Sequence, residues 1–331
     1  MSPSTEPDNA PKAGQSPVRK WGGAALKILV TVGLFWLISR ELDIGQIAAR
    51  LRDADHLVLV AATLLIFVQL AANSERWRRL MRLDTVTLPY KNAYRFYLEG
   101  MFFNQALPGA VGGDVVRIYR VRAFCRGLGQ AINGILLDRI TGLIALCCLI
   151  LVGLPLLMDR IGDSEPVIGF LAVIGLGITG VILVFVIAAM NEDGFGGRLR
   201  GGIVRFARLF VRLARRPTEA VPVLALGLVT QVLVVVIAFW SAQGLGIGFT
   251  FLDCLIVVPA SILIATLPIS LGGWGVREGA MAAGFTMLGA SGTDAVALSI
   301  VMGLQLVAVG LVGGLVWLLG GAVRPPENLV E

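Results

Sequence analysis

Charged residues are scarce in this sequence. Asp, Glu, Lys and Arg make up 15% of the chain and 56% of the residues are hydrophobic, whereas about a quarter of a soluble domain is charged. The segments 167–190 and 220–244 contain no charged residue, and each exceeds the roughly 20 residues that a helix needs to cross a bilayer. This composition excludes an ordinary soluble domain and predicts an all-α, multi-pass integral membrane protein.

Metal ligands and nucleotide-binding patterns are also lacking. His56 is the only histidine, which excludes a multi-histidine metal centre within the chain. The cysteines at 125, 147, 148 and 254 show no CxxC spacing, so neither a zinc site nor a disulfide framework is predicted. No nucleotide-binding loop is present. We therefore expect no metal, no cofactor, no nucleic-acid partner and no direct use of ATP.

Six apolar segments are long enough to span a bilayer. They are residues 22–39, 57–75, 129–157, 166–190, 220–243 and 294–321. Two further apolar stretches, 94–107 and 251–267, are shorter, and each ends at a proline. Their length favours re-entrant helices that enter and leave on one side of the membrane. The sequence thus predicts six full transmembrane helices and two broken, re-entrant elements.

The two broken elements carry the same motif. The stretch "LPGAVGGDVVR" at 107–117 recurs as "LPISLGGWGVR" at 267–277, with six identities in eleven columns and a constant offset of 160 residues. The repeated residues that affect backbone shape or carry charge are Pro108, Gly112, Gly113 and Arg117 in the first copy, and Pro268, Gly272, Gly273 and Arg277 in the second. Chance recurrence in a chain with 41 glycines is the alternative to a true internal repeat.

The distribution of arginine and lysine predicts the orientation, because cytoplasmic loops are enriched in these residues. Arginines follow the second span and the first Gly-Gly pair, and seven lie in 191–219. Both termini are then cytoplasmic in the inner membrane, and each half holds three crossings. We predict a disordered cytoplasmic tail at 1–20, a first membrane repeat at 21–158, an inverted second repeat at 159–323 and a short cytoplasmic tail at 324–331, the plan of many transporters.

The breaks predict an anion site in each half. A proline ends the incoming helix, the glycines permit positive φ and close backbone approach, and the amides at the start of the next helix favour an anion. Arg117 and Arg277 follow about one turn later, and a guanidinium suits a phosphate. The alternative is a pair of packing turns whose arginines snorkel to the interface. Asp114 shares a helix face with Arg117 and is able to pair with it instead.

Other polar residues are candidate substrate contacts. Glu99 and Asn104 lie in the short helix before the first break, where a carboxylate is costly to insert and is expected to face either a cavity or the interface. Asp138 and Arg139 are neighbours in "LLDRITGL" and need separate partners; Asp138 is expected to hold one of the arginines between 117 and 126, or to lie in an interfacial pair. Glu278 follows Arg277 and raises the same question.

The segments "FFNQALPGAVGGDVVRIYR", "LLDRITGL" and "LPISLGGWGVREGA" resemble the flippase-like membrane family that includes the transmembrane region of lysylphosphatidylglycerol synthases. The resemblance covers nearly the whole chain after the tail. It implies lipid translocation between leaflets and carries over Asn104, Pro108, Gly112, Gly113, Asp114, Arg117, Asp138, Arg139, Pro268, Gly272, Gly273, Arg277 and Glu278. The chain ends at Glu331, so we expect no aminoacyl-transferase domain and no transfer of lysine from tRNA.

We therefore predict a lipid translocator that moves a phosphate-containing lipid, either a phospholipid or a polyprenyl phosphate, between leaflets. Two alternatives stay open. One is a membrane glycosyltransferase that uses Asp53 and Asp55 in the first outer loop, although the segment 40–56 also suits an amphipathic connector. The other is an accessory subunit that recruits an enzyme of a lipid-linked glycan or hopanoid pathway.

Overall fold

A computed structural model describes residues 50–106, 112–161, 197–266 and 273–321, together with Gly45 and Gly175. These residues form helices and connecting turns, and the described ranges contain no strand. The helices are α1 (His56–Leu83), α2 (Tyr90–Ala106), α3 (Gly112–Val121), α4 (Leu128–Ile161), α5 (Gly197–Ala214), α6 (Pro217–Gly244), α7 (Phe251–Ala265), α8 (Val276–Met287) and α9 (Gly292–Leu319). A 3₁₀ turn, Arg122–Phe124, joins α3 to α4.

Four of these helices are long and apolar enough to cross a membrane. They are α1, the Leu128–Met158 part of α4, α6 and α9, and they correspond to four of the six predicted spans. The other two predicted spans, 22–39 and 166–190, lie outside the described residues, as do the two terminal tails. The short helices α2 and α7 occupy the two apolar stretches that the sequence predicts to be re-entrant.

The helix α1 extends eight residues beyond the predicted end of its span at residue 75. The sequence predicts a loop for the arginines that follow this span, but those up to residue 82 lie within the helix. Arg76 is buried, at 5% exposure, and it bonds to a carboxylate of α4. Arg78 and Arg79 both pair with Glu75 one turn earlier. Because each charge has a partner along or beside the helix, the helix continues through them.

The arginine-rich segment 191–219 is also not simply a loop, because it contains the helix α5. Phe206, Leu209 and Leu213 are buried against α1, α4 and α6, whereas Arg205, Arg208 and Arg212 are exposed. This spacing places the apolar residues on one face and the arginines on the other, as in an amphipathic helix. A pattern search restricted to continuous apolar runs misses such a helix.

Hydrogen bonds define two ends of the helix bundle. At the first end, Arg212 donates to the Leu83 carbonyl over 2.9 Å and Gln130 to the Asp84 carbonyl over 2.8 Å, which brings α1, α4 and α5 together. At the second end, the Asp55 amide donates to the Gly244 carbonyl over 2.7 Å, next to the start of α1 and the end of α6. The pair α2–α3 begins and ends at the first end. The pair α7–α8 begins and ends at the second, where the rings of Phe249 and Phe285 stack.

The helix contacts follow a pattern that repeats between the two halves. The helix α2 packs against α9, the last span of the second half, and α7 packs against α4, the last span of the first. Likewise α1–α2 corresponds to α6–α7, α3–α4 to α8–α9, and α4–α6 to α9–α1. The pair α2–α3 corresponds to α7–α8, and the α1–α6 contact joins two equivalent spans. Every contact in this set therefore has its counterpart in the other half.

The packing of α9 on α2 predicts one large effect on stability. A Cβ at Gly313 would overlap the Leu98 carbonyl oxygen and lie 2.8 Å from the Leu98 carbonyl carbon, which is backbone and is not free to rotate away. We expect Gly313→Ala to force the helices apart and to reduce the free energy of unfolding by about 1–3 kcal/mol. The thermal unfolding midpoint in detergent measures this loss.

Gly153→Ala is the matched control for that substitution. It also lies within a long helix, but its Cβ would find the nearest atom at an ordinary 3.5 Å. We expect this variant to match the wild type or exceed it slightly, since alanine is the better helix former. Equal midpoints for the two variants would show that the α2–α9 contact tolerates an extra carbon atom.

Candidate functional site

Five charged side chains, four of them buried, form a cluster between α1, α3 and α4, which we call the arginine–aspartate cluster. It consists of Arg76, Asp114, Arg117, Asp138 and Arg139. Asp138 accepts hydrogen bonds from Arg76 over 3.0 Å, from Arg117 over 2.9 Å and from the Tyr97 hydroxyl. Asp114 accepts from Arg117 over 3.3 Å and from Arg139. The two carboxylates thus join three guanidinium groups into one continuous chain.

Aromatic rings enclose Arg117 at the middle of this cluster. The carbon at the centre of its guanidinium lies 3.7 Å from the centre of the Tyr97 ring and 4.3 Å from that of Trp77. Such cation–π contacts are strongest where water is excluded, and Arg117 is only 5% exposed. The buried Arg117 guanidinium therefore binds Asp114 and Asp138 and lies against the Tyr97 and Trp77 rings.

The second half contains a smaller and different arrangement around Arg277. Arg277 donates to Glu278 over 2.7 Å and to the Ser299 hydroxyl over 2.9 Å, and that hydroxyl donates in turn to Glu278 over 2.9 Å. The Trp274 ring lies 5.1 Å from the Arg277 guanidinium. At the repeat offset of 160 residues, Trp274 corresponds to Asp114 and Ser299 to Arg139. The two halves therefore share the motif arginine but surround it with different chemistry.

A central cavity of about 410 Å³ lies between the two halves, a volume in the ordinary range for ligand sites. Seven helices contribute to its wall, namely α1, α2, α4, α6, α7, α8 and α9. The polar lining residues are Gln69, Asn73, Tyr97, Asn104, Gln105, Arg139, Thr266, Arg277 and Gln305. The apolar ones are Ile66, Leu70, Met101, Val234, Ile237, Ile262, Ala265, Met302 and Leu306. Such a wall suits an amphipathic ligand.

The amino-acid sequence matches the family described as the lysylphosphatidylglycerol synthase transmembrane region over residues 24–314. The chain belongs to this family. It is similar to a UPF0104 membrane protein of Pyrococcus horikoshii, with 22% identity over 323 residues that cover 84% of this chain and 90% of the relative. A UPF0104 membrane protein of Methanothermobacter thermautotrophicus is 26% identical over 309 residues, which cover 83% and 89%.

The sequence-predicted residues of this family member divide into three groups. Asn104, Arg139 and Arg277 line the cavity. Asp114, Arg117, Asp138 and Glu278 form buried ion pairs beside it. Gly112 and Gly113 begin α3, and the Gly113 amide bonds to the Asn104 side chain. Pro108, Pro268 and Gly272 lie outside the described residues. The expected contact between Asp138 and an arginine of 117–126 is confirmed, and its partner there is Arg117.

Glu99 forms ion pairs that are separate from the arginine–aspartate cluster. It is fully buried and binds Arg95 over 2.8 Å and Arg120 over 2.7 Å. Arg95 also donates to the Gly321 carbonyl at the first end of the bundle. Glu99 is not among the residues that line the cavity described above. The carboxylate instead joins α2 and α3 to the end of α9.

The helix starts after the two breaks differ from the expected open amides. The Gly113 amide donates to the Asn104 side-chain oxygen over 2.8 Å, and the Gly275 amide donates to Glu278 over 2.5 Å. Both amides therefore bind the protein's own acceptors in this state. Gly273 and Gly275 have positive φ, at 80° and 84°, as expected of the second break.

Gly113 is required for a different reason. It is not among the described glycines with positive φ, because the helix α3 already begins at Gly112. A Cβ at Gly113 would overlap the Gly100 carbonyl and lie 2.7 Å from the Asn104 side chain. Glycine at this position permits α3 to approach α2 closely. Close backbone approach, one of the two roles expected of the paired glycines, is therefore confirmed at Gly113, whereas a positive φ is not found at this residue.

Several cavity residues escaped the sequence reasoning. The lining residues Gln69, Asn73, Tyr97, Gln105, Thr266 and Gln305 are not among the predicted substrate contacts. Gln69 donates to the Thr230 carbonyl, and Gln305 bonds to Ser241. A usable signal was present: Gln69 and Asn73 are four residues apart, and Tyr97, Asn104 and Gln105 lie seven and eight apart, so each set shares a helix face.

Proposed function

We propose that this protein is a lipid translocator that moves a phosphate-containing lipid between leaflets through the central cavity. The observation that carries this proposal is the position of Arg139 and Arg277, which come from opposite halves and line one cavity. A guanidinium binds phosphate oxygens in a planar, two-pronged geometry. The apolar lining residues then contact the glycerol and first acyl carbons, while the remaining acyl chain stays in the bilayer.

The two arginines are held in place by their neighbours. The Arg139 side chain is 44% exposed although it binds Asp114. It therefore lines the cavity while the ion pair restrains its position. The hydrogen bonds of Arg277 to described residues use Nε and Nη2, and none of them uses Nη1. A headgroup that enters the cavity thus meets positioned donors, which reduces the entropy lost on binding.

We propose further that the chain has six full spans in two inverted repeats. The helix contacts support this arrangement, since the contacts among α1, α2, α3 and α4 have equivalents among α6, α7, α8 and α9. Inverted repeats place a substrate site at the interface between the halves, and the cavity lies there. Alternating access then requires only that one half rocks against the other around the bound headgroup.

A thiol-labelling experiment tests the inverted arrangement. Single cysteines at positions 109 and 269, in a cysteine-free background, should react with an impermeant reagent from opposite sides of the membrane. Native Cys125 would be a poor reporter of the first side, because burial raises the pKa of its thiol to about 11 and leaves little reactive thiolate near neutral pH. Labelling of both positions from the same side would exclude the inverted repeat.

The location of basic residues supports an inner-membrane protein with both termini in the cytoplasm. Exposed arginines of α5 cluster at the first end of the bundle, together with Arg82 and Arg122. The second end carries both signs of charge, including an Arg50–Asp294 ion pair of 3.1 Å. The positive-inside rule therefore assigns the first end to the cytoplasm.

The proposal assigns no catalytic role to the chain. Of the two acidic residues considered for a glycosyltransferase, Asp55 accepts hydrogen bonds from the amides of Leu57 and Val58 and so caps the start of α1. A carboxylate in this position has a structural explanation. An accessory role with a lipid-pathway enzyme would differ from translocation in needing that partner for any lipid movement.

Flipping in proteoliposomes tests the proposed function. The purified protein is reconstituted alone into vesicles that contain a headgroup-intact, chain-labelled phosphatidylglycerol, and the label in the outer leaflet is quenched chemically. A translocator makes the inner-leaflet label accessible to the quencher within the assay. In vesicles without protein, the inner-leaflet label stays protected. Lipid movement that appears only after a partner enzyme or a sugar donor is added would contradict the proposal.

A further inference from the structure

We propose that the lipid carries a single phosphodiester charge and an uncharged, hydroxyl-bearing headgroup, and that an amine-bearing headgroup is disfavoured. This inference rests on the proposed function and specifies the substrate class of the same cavity. Three features of the cavity support it. Its described wall contains no carboxylate, the ion pairs beside it carry a net positive charge, and five side-chain amides line it.

The described wall of the cavity contains two arginines and no aspartate or glutamate. The two stretches 107–111 and 267–272, which lie outside the described residues, contain no charged residue in the sequence. The predicted spans 22–39 and 166–190 also contain no acidic residue. An ammonium group brought into the cavity would therefore find no carboxylate on this wall to replace its water, and burying an unpaired charge is costly.

The acidic residues closest to the cavity already bind arginines. Asp114 binds Arg117 and Arg139, and Glu278 binds Arg277. Asp138 binds Arg76 and Arg117. If an ammonium group attracted one of these carboxylates, it would leave a buried guanidinium without its partner, which is destabilising. The buried ion pairs thus select against cationic headgroups as well as holding the arginines.

The charge of the ion pairs indicates how many negative charges the ligand carries. In the arginine–aspartate cluster, three guanidinium groups face two carboxylates, which leaves one positive charge. The Arg277–Glu278 pair is neutral. One additional negative charge balances the site, as a phosphodiester supplies, whereas a phosphomonoester brings up to two. A low-dielectric cavity makes this balance important, because uncompensated charge interacts strongly there.

The amides of the wall indicate the uncharged part of the headgroup. Gln69, Asn73, Asn104, Gln105 and Gln305 all line the cavity, and each amide offers both donors and acceptors. Hydroxyl groups also donate and accept, so a polyol or sugar is able to satisfy these amides in several orientations. Gln69 and Gln305 already donate to other protein groups. An ammonium group only donates, so it would offer no acceptor to the N–H groups of Asn73, Asn104 and Gln105.

Ligand-induced thermal stabilisation of the purified protein in detergent tests this class. The probes are four lipids with identical dioleoyl chains, namely phosphatidylglycerol, phosphatidic acid, phosphatidylethanolamine and lysyl-phosphatidylglycerol. We expect the largest upward shift of the unfolding midpoint with phosphatidylglycerol, and at least about tenfold weaker apparent binding for the two amine-bearing lipids, as the loss of one good charge–charge contact implies. Asn73→Leu should weaken the binding of phosphatidylglycerol about threefold to tenfold.

Two outcomes overturn the headgroup class, namely equal or stronger binding of an amine-bearing lipid, and no binding of phosphatidylglycerol. The proteoliposome assay separates these failures from a failure of the proposed function. A protein that flips the amine-bearing lipids is still a translocator but has a different substrate. Selective binding of phosphatidylglycerol without any flipping supports the inferred ligand and contradicts translocation.

Discussion

Asp138→Asn is expected to prevent the accumulation of stably folded protein. Asp138 is 2% exposed and accepts from two guanidinium groups, those of Arg76 and Arg117, which are each 5% exposed. Without the Asp138 charge, Arg76 would lose its carboxylate partner, and Arg117 would retain only Asp114. Removing one partner of a buried ion pair costs about 3–5 kcal/mol, a large part of a total stability of about 5–15 kcal/mol.

Fluorescence-detected size exclusion after detergent extraction, followed by thermal unfolding, measures this effect. Glu75→Gln is the matched control, because Glu75 also binds two arginines, over 2.6 Å and 2.9 Å, but with side chains that are 20–33% exposed. Exposed pairs contribute only about 0–1 kcal/mol, so this variant should behave like the wild type. If Asp138→Asn were equally stable, the arginine–aspartate cluster would not hold the fold.

A compensating substitution provides a further test of the same cluster. The double variant Arg76→Gln/Asp138→Asn removes one positive and one negative charge, so the rest of the cluster keeps its balance. Residues in one network do not act independently. We therefore expect the double variant to be more stable than Asp138→Asn alone, which a simple loss of packing would not produce.

Arg139→Gln and Arg277→Gln are each expected to reduce lipid flipping by about tenfold or more, since a charged hydrogen bond to phosphate contributes roughly 1.5–3 kcal/mol. Both side chains line the cavity, and glutamine retains polarity without the charge. Flipping is measured in proteoliposomes at matched protein incorporation, with the unfolding midpoint as the check on the fold. Arg208→Gln on the exposed face of α5 is the control and should leave the rate unchanged.

The double variant Arg139→Gln/Arg277→Gln distinguishes one shared site from two separate ones. If both arginines hold the same headgroup as it crosses, either substitution already blocks transport, and the double variant should be little worse. If each half moved its own lipid, the single variants would keep roughly half of the activity and their losses would add, as independent sites do. Additive, partial losses would exclude the single central site.

The motif arginines illustrate why equal sequence does not imply equal roles. The repeat predicts that Arg117 and Arg277 act alike and that Arg117→Ala spares the fold. The structure places Arg117 among Asp114, Asp138, Trp77 and Tyr97, so its removal would leave two buried carboxylates with fewer partners. Arg139, which has no arginine at the equivalent position of the second half, is the first half's arginine in the cavity.

The sequence alone determined the class of protein and the positions of the main breaks. Hydrophobic runs are local and long, so the spans at 57–75, 129–157, 220–243 and 294–321 were found within a few residues, apart from the longer end of α1. Proline and glycine act on their own backbone, so the ends of α2 and α7 and the turn before α8 were also predictable. Asp114, Arg117, Asp138, Arg139, Arg277 and Glu278 were identified as important because charges within apolar segments are costly.

Only the tertiary structure decided which of these charges meet each other and which meet the cavity. Arg76 and Asp138 are 62 residues apart, and no local pattern reports such a pair. Glu99 is as buried as Glu278, yet it binds Arg95 and Arg120 away from the cavity wall. Whether a buried charge is a ligand contact or an internal partner depends on the packing of helices distant in sequence, because desolvation and pairing are set by whatever atoms surround the group in three dimensions.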